Sequence, residues 1–119
     1  VLPAGSWVRY PGLASDPEHE RALKYLPHGS CGVISFGLKA GRQAAQDFMQ
    51  RLAIAAIETH VADARSCCLH PASTTHRQLS DDELAACGIA PELVRFSCGI
   101  ESAADLIADV AQALDAIAQ

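Results

Sequence analysis

The sequence predicts one α+β domain, an antiparallel sheet with helices packed on one of its faces. Three observations point there. Short β-branched or aromatic runs alternate with stretches of helical periodicity, in the order β-α-β-α-(β)-β-α-β-α, with no internal repeat and no low-complexity linker. The length, 119 residues, suits a single core that buries roughly two thirds of the unfolded surface. Half of the residues are apolar and 19% are charged, an ordinary globular balance.

In chain order, Trp7-Val8-Arg9-Tyr10 reads as a short strand ended by Pro11-Gly12. Ser15-Asp16-Pro17-Glu18 then opens a short helix, with Asp16 as N-cap, Pro17 at N1, and Glu18 and Glu20 at the positive end of the dipole. Cys31 to Leu38 is the clearest strand. Ile34, Phe36 and Leu38 share one face, and small Ser35 and Gly37 the other. Gly41 starts a helix to about Leu52, with Ala45, Phe48, Met49 and Leu52 at helical spacing. Ala53 to Thr59 is read as a bend and a brief strand before His60, and Arg65 to Leu69 as a further strand stopped by Pro71. Ser80 and Glu83 form an S-x-x-E capping box for a short helix ending at Cys87-Gly88, where the glycine takes the left-handed conformation. Leu93 to Cys98 is a strand. Ser102 caps the last helix, with Leu106, Ile107, Val110, Leu114 and Ile117 in one stripe and Asp105, Asp109, Gln112 and Asp115 elsewhere.

Composition excludes several functions. A net charge of −5 argues against a binder of phosphate backbones, and no apolar run reaches the length of a membrane span. Five cysteines without C-x-x-C spacing, two of them adjacent at Cys67-Cys68, suit reduced thiols in a cytoplasmic protein. His60, His70 and His76 match no metal-finger spacing, and no glycine-rich phosphate loop is present, so neither a metal nor a cofactor site is expected from pattern. The start at Val1-Leu2-Pro3, without methionine, is read as the edge of a piece of something longer.

One residue stands out. Arg95 lies between Val94 and Phe96 in a strand that should be half buried. Alternation puts it with Leu93 and Ser97 on one face and Val94 with Phe96 on the other, so on pattern alone it is either a solvated charge or a group aimed at an anion, with solvation the simpler reading.

Four motifs occur in one order: Val8-Arg9-Tyr10-Pro11-Gly12-Leu13, Val33-Ile34-Ser35-Phe36-Gly37-Leu38-Lys39, His70-Pro71-Ala72-Ser73-Thr74-Thr75-His76, and Val94-Arg95-Phe96-Ser97-Cys98-Gly99-Ile100-Glu101. Over nearly the whole chain they resemble the C-terminal domain of the Cys/Met-metabolism family of pyridoxal-phosphate enzymes. The runs from His60 and His70 look most like the O-acetylhomoserine sulfhydrylase branch. The resemblance implies the small domain of a fold-type I enzyme performing γ-replacement of O-acetyl-L-homoserine with sulfide or a thiol in methionine and homocysteine biosynthesis. It gives Arg95 the task of gripping the substrate α-carboxylate. His60 falls where other branches carry a serine near that carboxylate, which makes it a second substrate-binding candidate, by its side chain or by its backbone. Ser73, Thr75 and His76 are read as structural supports. The Schiff-base lysine and the phosphate-binding residues belong to the family's N-terminal domain, and Lys24 and Lys39 do not stand in its lysine motif. The resemblance therefore implies no catalytic residue, pyridoxal phosphate or metal held by this chain alone, which should be inactive. It further implies partnership with an N-terminal cofactor-binding domain, a tetramer for the whole enzyme, and neither nucleic acid nor membrane as partner. The alternatives are a cystathionine γ-synthase or methionine γ-lyase reaction on the same site, or a non-catalytic binding or assembly module.

Overall fold

The computed structural model describes residues 4–118. The elements are β1 (Gly5–Arg9), α1 (His19–Tyr25), β2 (Val33–Leu38), α2 (Gly41–Arg51), β3 (Ala56–Ile57), β4 (Cys67–Leu69), α3 (Asp81–Ala86), β5 (Leu93–Ser97) and α4 (Ala103–Ile117), with a 3-10 turn at Pro71–Ser73. The strands form one sheet in the order β1-β2-β5-β4-β3. Four strands pair antiparallel as predicted, but β3 runs parallel to β4, so the sheet is mixed. The nine-residue loop 58–66 makes this possible, because it returns the chain to the end of the sheet from which β3 set out.

Register fixes the two faces. Ile34 faces Phe96 and Phe36 faces Val94 across β2 and β5, and these residues meet the helices. Phe48 of α2, fully buried, packs edge-on against Phe36, with ring centroids 5.6 Å apart and planes at 87°. Ala113 and Leu114 of α4 complete this core beside Leu38, Ala45 and Met49. An apolar groove of about 520 Å³ remains between α4 and the β1–β2 half of the sheet.

Local chemistry explains the element ends, with three departures from the predictions. Ser80 and Glu83 form the predicted reciprocal capping box, and Gly88 adopts φ +72° after α3. Asp16, however, does not cap α1, which starts at His19. Its buried carboxylate instead accepts from the amides of Tyr10 and Glu18 and pairs with Arg9, tying the turn after β1 together. In α4, Ile107 is exposed and Asp109 is buried, the reverse of the predicted stripe. The Asp109 carboxylate accepts from the amides of Ala53, Ile54 and Ala55 at 2.8, 2.9 and 3.4 Å, where the chain leaves α2 with no helical partners for those N–H groups. Ser102 precedes α4, but its side chain makes no cap bond.

Candidate functional site: an arginine on the central strand

Arg95 sits in β5, the middle strand, on the face opposite the helices. Register places it between Ser35 of β2 and Leu69 of β4. The small Ser35 leaves its flank open. Arg95 is half-buried as a residue, and its Nη2 donates to the Thr59 carbonyl at 2.6 Å in an exposed bond. That bond fixes one corner of a planar five-donor fork without neutralising its charge.

Arg9 pairs with Asp16, Arg21 with Glu18 and Arg42 with Asp81. Of the seven arginines, Arg51, Arg65, Arg77 and Arg95 form no ion pair among the described residues, and Arg65 too donates to a carbonyl, that of Ile54. Arg95 is the one of these four that lies on a strand, at the centre of the sheet. A guanidinium held by a carbonyl, on the central strand and without an ion-pair partner among the described residues, is suited to a small carboxylate, which it can meet with two parallel N–H bonds.

The rest of the last motif shapes the wall beside it. Ser97, one pleat along on the same face, accepts the Ala62 amide through Oγ at 3.2 Å. The segment 59–62 thus arches over this face, and it explains why Ser97 is only 3% exposed on what the sequence suggested was a wet face. Gly99 lies against the base of the same loop. A Cβ there would stand 2.4 Å from the Ala64 carbonyl oxygen and 2.5 Å from the Ser66 nitrogen, so only glycine fits. Glu101 accepts from both the amide and the hydroxyl of Ser66 at 2.8 Å, and the Ser66 Oγ accepts the Gly99 amide at the same distance. The Ser66 amide is the largest of the influences holding the Glu101 carboxyl below its ordinary value. Sequence reasoning singled out Arg95, read Gly99 only as the turn into the last helix, and gave no role to Ser97 and Glu101. Alternation was the available signal for Ser97, two residues from Arg95 on the same strand; β5 ends at Ser97, so Gly99 and Glu101 lie beyond its reach.

His60 occupies the crown of the arch, and its ring turns to acids rather than to Arg95. Nδ1 lies 3.1 Å from Glu58 Oε2 and 3.3 Å from Asp63 Oδ2, with 62% of the side chain exposed. Its peptide nevertheless follows the carbonyl that holds Arg95. In the loop from His70, Ser73 bonds a buried side chain. Buried His70 has Nε2 2.7 Å from the Pro91 carbonyl, which only accepts, so Nε2 carries the proton and Nδ1 accepts from Ser73 Oγ at 2.7 Å. Burial first, with Arg42 adding, holds its pKa below the ordinary value. Thr75 bonds its neighbour His76.

Neither lysine stands beside Arg95. The Lys24 ammonium lies 5.1 Å from the Tyr25 ring centroid, and Lys39 borders a cleft with Ala44 and Ile117. Among the described residues, a lysine and a phosphate cradle do not come together as a pyridoxal phosphate site. Nor do three or more metal-ligating side chains cluster, and no helix is long and apolar enough to cross a membrane.

Fold and site together describe a small α+β lobe that presents one unneutralised arginine from the centre of a sheet. The profile of the Cys/Met metabolism PLP-dependent enzyme family matches residues 2–115, and the chain belongs to that family. It is 46% identical over 112 residues to O-acetyl-L-homoserine sulfhydrylase 1 of Thermus thermophilus, covering 94% of this chain and 27% of that protein. It is 42% identical over 113 residues to the homocysteine synthase of Schizosaccharomyces pombe, covering 95% and 26%. Among solved structures, a Campylobacter jejuni protein described as an O-acetylhomoserine (thiol)-lyase superposes with a TM-score of 0.86 at 37% identity, over 95% of this chain and 27% of that one; it contains N'-pyridoxyl-lysine-5'-monophosphate. Cystathionine γ-synthase from Xanthomonas oryzae, in complex with aminoacrylate and cysteine, gives the same TM-score at 34% identity, over 98% and 30%. The chain thus spans about a quarter of the length of the curated relatives it matches.

Proposed function

We propose that this chain is the substrate-carboxylate-binding lobe of an O-acetylhomoserine sulfhydrylase-like enzyme. The whole enzyme replaces the acetoxy group of O-acetyl-L-homoserine by sulfide or a thiol, giving homocysteine or methionine. The observation that carries this reading is Arg95, the central-strand arginine held by Thr59 and, among the described residues, without an ion-pair partner. It is supported by family membership and by relatives that bear the sulfhydrylase and homocysteine synthase names. In this reading the cofactor, its lysine and its phosphate site lie in an N-terminal domain of a longer, tetrameric polypeptide, and the chain alone turns over nothing. The chain's own contribution is orientation. Two N–H bonds from Arg95 to the α-carboxylate fix the amino acid's rotation, and the carbonyl on the opposite corner keeps the fork from swinging away.

The test is to isolate the native gene product and offer it substrates. Homocysteine formed from O-acetyl-L-homoserine and sulfide supports the reading. Turnover of cystathionine or methionine in its place would assign the same site to a lyase. A colourless product of the size of this chain, inert to all of them, would make the domain a binding module.

A further inference from the structure

The residue that shapes carboxylate recognition beyond Arg95 is on the same strand. We propose that Ser97 is a positioning residue: it anchors the arch 59–62 so that the Thr59 carbonyl holds the Arg95 guanidinium toward an α-carboxylate. The inference rests on the reading of Arg95 as the carboxylate group and extends it to a second side chain.

The geometry is that of a two-footed clamp. Arg95 and Ser97 are alternate residues of β5 and share a face. Arg95 Nη2 donates to the carbonyl at one foot of the arch, Thr59, at 2.6 Å. The Ala62 amide, at the other foot, donates to Ser97 Oγ at 3.2 Å. Between the feet, Val61 is exposed and the His60 ring reaches Glu58 and Asp63, which belong to the same loop, so neither side chain ties the arch to β5. Ala62 takes φ +56°, and among the described residues it alone has positive φ without being glycine. An alanine leaves that conformation readily unless a bond keeps it, and the Ser97 hydroxyl supplies one from a buried position. Outside the feet the loop is already fixed, since the Glu58 amide donates to the Cys68 carbonyl and the Ile100 amide to the Ala64 carbonyl. The freedom that Ser97 removes is therefore confined to the stretch bearing the carbonyl that Arg95 uses.

The experiment uses the full-length enzyme and two competing inhibitors, L-norvaline and butylamine, which differ by the α-carboxylate. Ser97→Ala is expected to raise the inhibition constant of L-norvaline about tenfold, the equivalent of one lost hydrogen bond, and to leave that of butylamine within about twofold. In an Arg95→Ala background the same substitution is expected to do nothing further, because its effect passes through the guanidinium. Ser97→Thr and Ser97→Val have the same shape and differ in the hydroxyl, so they carry the comparison if alanine disturbs folding: the valine variant should be about tenfold the weaker for L-norvaline. Equal losses for both inhibitors, equal behaviour of the threonine and valine variants, or full additivity with Arg95→Ala would each overturn the assignment of Ser97. If Arg95→Ala alone fails to weaken L-norvaline relative to butylamine, the carboxylate reading of Arg95 falls first.

Discussion

Replacing Asp109 by alanine tests how the helical layer is tied to the sheet. The carboxylate is 5% exposed and accepts three consecutive amides at the exit of α2, with Gln112 Nε2 donating to it at 3.1 Å. Two of the amide bonds are short and charge-assisted, and each such bond contributes about 1.5–3 kcal/mol. Water reaches Ala53 and Ile54 on one side and replaces part of the loss, which leaves about 3 kcal/mol for Asp109→Ala. With an unfolding entropy of roughly 2.1 cal/mol/K per residue, this lowers Tm by about 12 °C. Asp109→Asn keeps one acceptor oxygen and should lose about half as much. Burial alone would raise the Asp109 pKa, but the amides of Ala53 and Ile54, the Gln112 side chain and the Ala55 amide together hold it below the ordinary carboxylate value. A folded pKa below the unfolded one gives stability that is complete above about pH 4 and is lost as the pH falls through the folded value. The assay is urea unfolding of wild type and variant near neutral pH and again in acid. An unchanged midpoint for Asp109→Ala near neutral pH would refute the argument.

Other consequences follow from the same contacts. Gly99→Ala forces a methyl group into the backbone of residues 64–66 and should cost at least about 2 kcal/mol by urea denaturation, with Ser66 losing its grip on Glu101. His70 is buried neutral and its pKa is lowered, so the folded state resists protonation; stability should be flat above about pH 6.5 and fall below it, and Tm equal at about pH 7.5 and about pH 5.5 would contradict this. Of the five cysteines, Cys31 and Cys87 are exposed and should react with a maleimide in the native protein. Cys67 and Cys68 should react only on unfolding, since both are buried and burial pushes the Cys68 thiol up to about 12.

What the sequence disclosed was local. The alternation of β2, the spacing of Phe48 and Met49 in α2, and the Ser80–Glu83 box each involve residues within one or two turns, and each forms as expected. Asp109 was misplaced because its partners, Ala53 to Ala55, lie more than fifty positions away, and helical periodicity sees only polarity. Asp16 carried a strong N-cap signal, yet Arg9 and the Tyr10 amide competed for its carboxylate and moved it to the preceding turn. The parallel pairing of β3 was equally invisible, since two residues give no period. At the candidate site, alternation placed Arg95 on the correct face of β5. The arch that covers this face comes from another part of the chain, and so the burial of Ser97 could not be read from the strand itself.

The most direct test of the central claim is the kcat/KM of the full-length enzyme for O-acetyl-L-homoserine after Arg95→Ala. Two charge-assisted hydrogen bonds at about 1.5–3 kcal/mol each, with about 1.4 kcal/mol per decade, predict a loss of about two to four decades with the fold retained. An Arg95→Ala enzyme with wild-type kcat/KM would show that this arginine does not hold the substrate.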